Sequence, residues 1–162
     1  MIPTIFVSAP SILLAPQERI LNNWLTKIYT LGFGMKRLKR RDYQSDVWGQ
    51  LQRLITTSDG VLAFGFRQLS IQVGVWRPGT LQESSGPATW TSPWIQVEAS
   101  LGIGAGLPVL AIADHGVAEG LFNSSTWAPP LYGVTRDMPQ CVPAAWVRDV
   151  HRLHQGAAFR TR

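Results

Sequence analysis

The sequence is poor in cysteine and in charge, and it contains no long hydrophobic run. Its 162 residues include a single cysteine, Cys141, so no disulfide can form within the chain. An unpaired thiol is typical of a reducing compartment, and we therefore expect a cytoplasmic protein. No apolar segment reaches the roughly 20 residues of a membrane-spanning helix. The apolar N-terminal segment also lacks a basic start, so we predict no signal peptide and no membrane association.

The sequence also lacks the motifs of two common enzyme classes and the full ligand set of a metal site. No GxGxxG follows the first predicted strand, and the glycines of LGIGAGLP (101–108) close a helix instead of opening one, which is the wrong polarity for a phosphate cradle. We interpret those glycines as permitting close packing of a helix on a sheet. A G-x-S-x-G serine elbow is absent. His151 and His154 form an HxxH pair, but a metal site would need further ligands and the tail beyond the pair is basic, so we predict no metal site.

What is present suits a folded domain with a basic surface. Hydrophobic residues make up 45% of the chain and charged residues 15%, so the chain can bury a substantial core, and we assign residues 1–162 to one domain. The net charge is +5, with the densest basic cluster at 36–41. This cluster is either a solvated loop or a basic rim for an anionic ligand. Because no aromatic residue is interleaved with it, binding of nucleic acid is not favoured.

Short apolar runs alternate with amphipathic patterns along the chain. This alternation predicts parallel βαβ units, hence an open α/β sheet with helices on both faces. The predicted strands are 4–9, 33–38, 60–66, 107–112 and 131–134. The first predicted helix begins at Pro16 and ends at Gly32, three more span 43–57, 92–105 and 117–122, and the last begins at Pro143.

An irregular segment at about 67–91 interrupts this alternation. It is rich in glycine and proline, with a possible short strand at 71–76. We interpret it as an insertion that is either a lid or binding loop or a passive excursion.

Ligands of such sheets bind beyond the carboxyl ends of the strands. This rule selects candidate positions directly after each strand: Ser8, Ala9, Pro10, residues 36–42, Gly65, Phe66, Arg67 and residues 113–115.

The segment TSPWIQVEAS (91–100) predicts a helix that Ser92 can cap and whose first turn suits Pro93. The segment also places an acid on this otherwise apolar helix. Trp94 and Glu98 are four residues apart and therefore share a helix face. Glu98 is either an exposed helix residue or a carboxylate kept in an apolar pocket. Burial beside Trp94 would raise its pKa, and a nearby arginine would lower it again. A carboxylate in such a place can act as a nucleophile or stabilise positive charge at an anomeric carbon.

Two segments resemble the second half of TIR domains. They are ITTSDGVLAF (55–64) and SPWIQVEASLGIGAGLPVLAI (92–112), of which the W-x-x-x-E element is the most specific. The same layout resembles nucleoside 2-deoxyribosyltransferases and related nucleotide N-glycosidases, and the first strand IFVSAP (5–10) is similar to both families.

The resemblance implies a flavodoxin-like open parallel sheet of about five strands with an essential glutamate, here Glu98. In catalytic TIR domains this glutamate serves cleavage of the nicotinamide–ribose bond of NAD, and in the deoxyribosyltransferases it attacks the anomeric carbon. Asp59 matches the acid of the "sDgvl" pattern, and the first strand and its loop would line the ribose or phosphate site. The predicted substrate-binding residues are Phe6, Ser8, Ala9, Pro10, Asp59, Gly65, Phe66, Trp90 and Trp94. Trp94, Trp90 or Phe66 would stack on a base or nicotinamide, and Arg37, Arg40 or Arg41 of the basic cluster would hold phosphate.

We therefore expect an enzyme that cleaves or exchanges an N-glycosidic bond in NAD or another nucleotide. No metal or cofactor is expected beyond the nucleotide substrate, and a homo-oligomer is possible. The alternative is a non-catalytic TIR-like module that senses a nucleotide or self-assembles. A third and weaker interpretation is a small basic domain that binds nucleic acid.

Overall fold

The computed structural model describes residues 2–38, 46–135 and 142–160, the last four of these by their backbone alone. No helix in this described part of the chain is long and apolar enough to cross a membrane. In chain order the elements are β1 (Thr4–Ser8), α1 (Ala15–Thr30), β2 (Gly34–Lys36), α2 (Val47–Thr56), β3 (Gly60–Gly65), β4 (Leu69–Trp76), β5 (Ser84–Trp90), α3 (Pro93–Gly104), β6 (Val109–Ala113), β7 (Leu131–Thr135) and α4 (Ala144–Arg160), with short 3-10 turns at Gly120–Phe122 and Ser124–Thr126.

The main sheet has five parallel strands in the order β2-β1-β3-β6-β7. This confirms the predicted flavodoxin-like α/β fold. Every residue of β3 and β6 is buried, because both faces of these strands are covered. The chain order reverses between the neighbouring strands β1 and β3, and the carboxyl ends of strands at such a reversal border a crevice.

Helices cover the two faces of the sheet in pairs. Helices α1 and α4 pack on one face, where Trp24 and Trp146 are fully buried. Helices α2 and α3 pack on the other face, where Phe6 of β1 contacts the core. Because side chains alternate along a strand, Ser8 lies on the same face as Phe6, toward α3.

Gly102 allows α3 to lie close to the sheet. A Cβ atom at Gly102 would lie 2.6 Å from Cγ2 of Val61, a separation that atoms do not tolerate. The predicted role of these glycines in close packing is confirmed at this one position.

The segment 67–91 is more regular than we predicted. Strands β4 and β5 form an antiparallel hairpin that is a separate two-stranded sheet, with an irregularity between Ile71 and Gly74. The predicted short strand at 71–76 lies within β4, which is rich in β-branched residues. The expectation of an irregular remainder was wrong because Pro78 and Gly79 lie in the turn between the strands and β5 pairs with β4.

The prediction of a helix at 117–122 is also wrong. The structure has only the 3-10 turn Gly120–Phe122 there. Gly116 and Gly120 have φ values of 81° and 60°, and a right-handed helix does not continue through such positions. The first residues of the predicted helix 43–57 lie outside the described residues, and α2 occupies its remainder.

Candidate active site

Helix α3 places Glu98 beside the carboxyl end of β1, at the crevice where the strand order reverses. Ser92 is the N-cap residue and Pro93 the first helical residue, as the sequence predicted. Glu98 lies on the buried face of α3 together with Ile95 and Ala99, and it is 4% exposed. The interpretation of Glu98 as an exposed helix residue is therefore excluded.

The last residue of β1 contacts this carboxylate directly. The Ser8 hydroxyl donates a hydrogen bond to Oε2 of Glu98, and Ser8 itself is only 1% exposed. This bond follows from the strand alternation that turns Ser8 toward α3. The sequence predicted Ser8 as a residue that lines the substrate site, whereas the structure shows it holding the carboxylate.

Opposing effects act on the ionisation of Glu98. Burial raises the pKa of Glu98 above its ordinary value, and this effect is the largest. The hydrogen bond from Ser8, the positive charge of Arg37 and hydrogen bonding with Trp94 each lower the pKa. The side chain thus combines an apolar surrounding with three groups that favour its anionic form.

Arg37 follows β2 and is fixed at the rim of the same crevice. Its Nη2 donates to the carbonyl oxygens of Ala9 and Pro10, at 3.1 and 3.0 Å. Those two bonds use the Nη2 donors and leave the Nη1 and Nε groups outside this contact. The guanidinium is therefore held in place by the loop after β1 and carries further donors for an anion.

A cavity of about 910 Å³ borders these groups. Its volume is within the range of small-molecule sites, and its wall is largely apolar with a few polar groups. The lining residues are Val7, Ala9, Pro10, Ser11, Ile12, Arg37, Leu38, Ser92, Trp94, Ile95 and Glu98.

Trp94 contributes an aromatic surface to this cavity. Its ring lies 5.1 Å from that of Trp48 on α2, measured between centroids, with the planes tilted by 50°. The Trp94 indole is thus packed between α2 and the cavity, one helical turn before Glu98.

Other predicted residues lie away from the cavity. Phe6 is fully buried in the core on the α2–α3 face. Phe66 is fully buried on the opposite face of the sheet, where it stacks on Phe64 with centroids 5.3 Å apart, so its ring is not available to stack on a base. Gly65 packs against Phe122, since a Cβ atom there would lie 2.6 Å from that ring.

Trp90 lies at the base of the hairpin and does not line the cavity. Its ring stacks on that of Trp76, with centroids 5.5 Å apart and planes within 17° of each other. The structure therefore pairs Trp90 with its own hairpin and does not bring it to Glu98.

Asp59 lies at the opposite edge of the sheet from Glu98. It precedes β3, and residues that precede parallel strands lie at the amino edge. Its Oδ2 accepts from the Thr4 amide at 2.7 Å, and its Oδ1 pairs with Nδ1 of His154 at 3.1 Å. The structure thus separates Asp59 from the cavity.

Of the three arginines of the basic cluster that we predicted to hold phosphate, Arg37 lines the cavity. Arg40 and Arg41 lie outside the described residues.

The histidine pair is divided between two contacts: His154 pairs with Asp59, and His151 packs against Phe33 with ring centroids 5.1 Å apart. Within residues 2–38, 46–135 and 142–160, no three or more histidine, cysteine or acidic side chains are grouped in a way that could hold a metal ion.

Sequence reasoning missed part of the cavity wall. Ser92 was expected only to cap the helix, yet its side chain makes no capping hydrogen bond and lines the cavity instead. Ser11 and Ile12 follow the predicted loop by one and two residues, so a longer loop would have included them. Leu38 and Ile95 carry no pattern that separates them from ordinary core residues.

Comparison with known proteins gives a structural likeness only. No family model matches the sequence, and no curated protein does. The fold is similar to that of the CMP N-glycosidase BcmB from Clostridium botulinum, with a TM-score of 0.53, 11% identity, and coverage of 85% of this chain and 92% of that chain. A conserved protein from Enterococcus faecalis V583 aligns with a TM-score of 0.47 and 11% identity over 94% of this chain and 99% of its own. At this identity the likeness to the N-glycosidase extends to the fold alone.

Proposed function

We propose that this protein breaks the N-glycosidic bond of a nucleotide, NAD or a nucleoside phosphate, with Glu98 acting at the anomeric carbon. The observation that carries the proposal is a buried carboxylate at the wall of a large cavity, hydrogen-bonded by Ser8 and facing the charge of Arg37. A buried carboxylate beside an open cavity is costly to maintain for stability alone.

The chemistry suits the surroundings of Glu98. Cleavage of a C1′–N bond develops positive charge on the ribose, and the base leaves with the bonding electron pair. The Glu98 carboxylate stabilises that charge or forms a C1′–O ester. In hydrolysis, water then supplies the oxygen at C1′. Its proton goes to the departing base of a nucleoside phosphate, or to solvent when the neutral nicotinamide of NAD departs. The three groups that lower the Glu98 pKa favour the anion that both routes need.

Arg37 supports a phosphorylated substrate. Because Nη2 is engaged by the carbonyls of Ala9 and Pro10, the guanidinium has a fixed orientation at the cavity wall. A fixed guanidinium is well suited to bind phosphate through its remaining donors. Ser92 lies on the same cavity at the start of α3, where backbone amides and the helix dipole also favour an anion.

The structural likeness to a CMP N-glycosidase agrees with this proposal at the level of the fold. It adds a precedent for N-glycosidic chemistry on this architecture, and it does not select between CMP, NAD and other nucleotides.

The direct test is to incubate the protein with NAD, ribonucleoside and deoxyribonucleoside 5′-monophosphates and the matching nucleosides, and to quantify the released base by chromatography. We expect release from at least one phosphorylated compound. The role of Glu98 is wrong if wild type releases base and Glu98→Gln does so at the same rate.

The non-catalytic alternative is favoured by the hairpin. Val73 and Val75 of β4 are 78% and 54% exposed, and Leu81 in the turn is completely exposed, as is common for surfaces that meet a partner. Under this alternative the protein binds a nucleotide without turnover and self-assembles. Calorimetric binding of nucleotide together with concentration-dependent light scattering, in the absence of base release, would support it over the enzyme.

A further inference from the structure

A second buried carboxylate lies at the same edge of the sheet but outside the cavity wall. Asp114 directly follows β6, is 5% exposed, and is not one of the residues that line the cavity. Its backbone amide donates to the Gly65 carbonyl at 3.2 Å, which fixes it between the ends of β3 and β6. The proposed reaction assigns no role to this carboxylate.

The contacts of Asp114 described by the structure connect three separate segments. Its Oδ2 accepts from the Arg67 amide at 3.1 Å and from Nε2 of Gln17 at 3.5 Å. Its Oδ1 accepts from the His115 amide at 2.7 Å. All three partners are donors, and the two carboxylate oxygens accept from all of them, whereas an asparagine would turn its NH₂ group toward at least one of them.

Gln17 connects Asp114 to the loop that borders the cavity. The residue is 4% exposed on the first turn of α1, and its Oε1 accepts from the Leu14 amide at 3.0 Å. Its Nε2 also donates to the Arg67 carbonyl at 3.2 Å. One end of the Gln17 amide therefore holds the end of the loop 9–14, and the other end is fixed by Asp114 and the root of the hairpin.

The loop 9–14 forms one wall of the cavity through Ala9, Pro10, Ser11 and Ile12. Arg37 holds the start of this loop through the carbonyls of Ala9 and Pro10. Gln17 holds its end. A loop anchored at both ends by side chains keeps its wall only while both anchors are in place.

We propose that Asp114 is a positioning residue, which keeps the cavity wall 9–14 in its binding conformation through Gln17. It lies outside the cavity wall and reaches that wall through Gln17, so it acts on binding of the nucleotide and not on the bond-breaking step. The expected change in KM rests on the proposed function. The expected change in the conformation of the loop 9–14 rests on the hydrogen bonds alone.

The test compares Asp114→Asn with Gln17→Ala and with Asp59→Asn as the matched control. Asp59→Asn makes the same acid-to-amide change at the far edge of the sheet. Hydrogen–deuterium exchange of the substrate-free proteins is measured at the amides of residues 9 and 11–14, and KM and kcat are measured for a substrate that wild type cleaves.

We expect exchange in segment 9–14 to rise about tenfold in Asp114→Asn and Gln17→Ala, and not in Asp59→Asn. KM should rise about tenfold in the first two variants while kcat stays within about twofold. In the double variant the changes should be smaller than the sum, since both side chains belong to one contact chain.

The inference is overturned if Asp114→Asn lowers the melting temperature but leaves both exchange in 9–14 and KM at wild-type values, since its role is then purely structural. A drop in kcat with unchanged KM also overturns it. Gln17→Ala removes no buried charge, so it remains informative if Asp114→Asn does not fold. The exchange measurement needs no substrate and therefore tests the inference even if no nucleotide is cleaved.

Discussion

Glu98 and Asp59 are two acids that the sequence assigned to one site and that the structure places at opposite edges of the same sheet. Glu98 lies on α3, beside the carboxyl end of β1, and borders a large cavity. Asp59 precedes β3 and is engaged by the Thr4 amide and by His154. The comparison separates a carboxylate with access to a ligand from one whose contacts join β1, β3 and α4 within the fold.

Glu98→Gln gives the sharpest contrast between the two acids. We expect base release to fall about 1,000-fold or more, because the amide neither forms an ester nor stabilises an oxocarbenium ion as an anion does. Asp59→Asn should release base within about twofold of wild type. The measurement is initial base release under saturating substrate. Equal losses in both variants would remove the distinction.

Arg37→Met tests whether the cavity edge selects a phosphorylated ligand. KM for a nucleotide should rise about 30-fold, since a charge-assisted contact to phosphate is lost. Cleavage of the matching unphosphorylated nucleoside should change far less. Arg53→Met is the control, because Arg53 lies on α2 and pairs with the exposed Asp46. A uniform loss for both substrates would assign Arg37 to the fold or to Glu98 alone.

Ser8→Ala tests whether the Ser8 hydroxyl, which donates to Glu98 and not to Asp59, lowers the pKa of Glu98. The Ser8 hydrogen bond lowers the Glu98 pKa, so its removal should raise that pKa further. The acidic limb of the pH–rate profile should then move to higher pH, with about a tenfold loss on that limb that shrinks as the pH rises. Ser70→Ala, on exposed β4, is the control. An unmoved limb would show that Ser8 does not tune Glu98.

Asp59→Asn should affect stability where Glu98→Gln affects chemistry. The change weakens the contacts to Thr4 and His154, which join the amino edge of the sheet to α4. We expect the free energy of unfolding to fall by about 1–3 kcal/mol. Denaturant titration of both variants measures this. An unchanged midpoint would indicate that Asp59 does not stabilise the fold.

The smallest expected effect is a gain in stability from Glu98→Gln. Because burial raises the folded-state pKa of Glu98, keeping the side chain ionised costs stability above that pKa, at about 1.4 kcal/mol for each pKa unit of difference. Glutamine avoids this cost, so the variant should be the more stable protein at alkaline pH. Its advantage should shrink as the pH falls toward the ordinary value of 4.5 and wild-type Glu98 takes up a proton. An advantage that grows on acidification would contradict the direction of the shift.

The fold was readable from the sequence where burial is complete. Strands such as GVLAFG (60–65) are apolar throughout, and the helix that begins after Ser92 has Pro93 at its first position. The first strand of the hairpin was predicted at 71–76, but its partner β5 was missed because the glycines and prolines suggested an irregular loop. Only the pairing of β4 with β5 shows that these residues occupy the turn and the irregular part of a ladder.

The site was readable in part. Spacing placed Trp94 and Glu98 on one face, and the structure keeps both at the cavity. Asp59 was assigned to the site through its match to the "sDgvl" pattern, but it precedes β3 and therefore lies at the amino edge of the sheet. Phe66 follows a strand but turns to the other face, where it is buried. Contacts across the sequence, such as Gln17 with Asp114, depend on tertiary packing that no local pattern encodes.

The central claim is that Glu98 meets the anomeric carbon of a nucleotide in the cavity. A crystal structure of Glu98→Gln with an uncleaved nucleotide tests it most directly. The claim predicts C1′ of the ribose within about 3.5 Å of the side-chain amide oxygen at position 98, with the phosphate toward Arg37. A nucleotide bound outside the cavity, or one whose C1′ lies beyond the reach of this side chain, would contradict it.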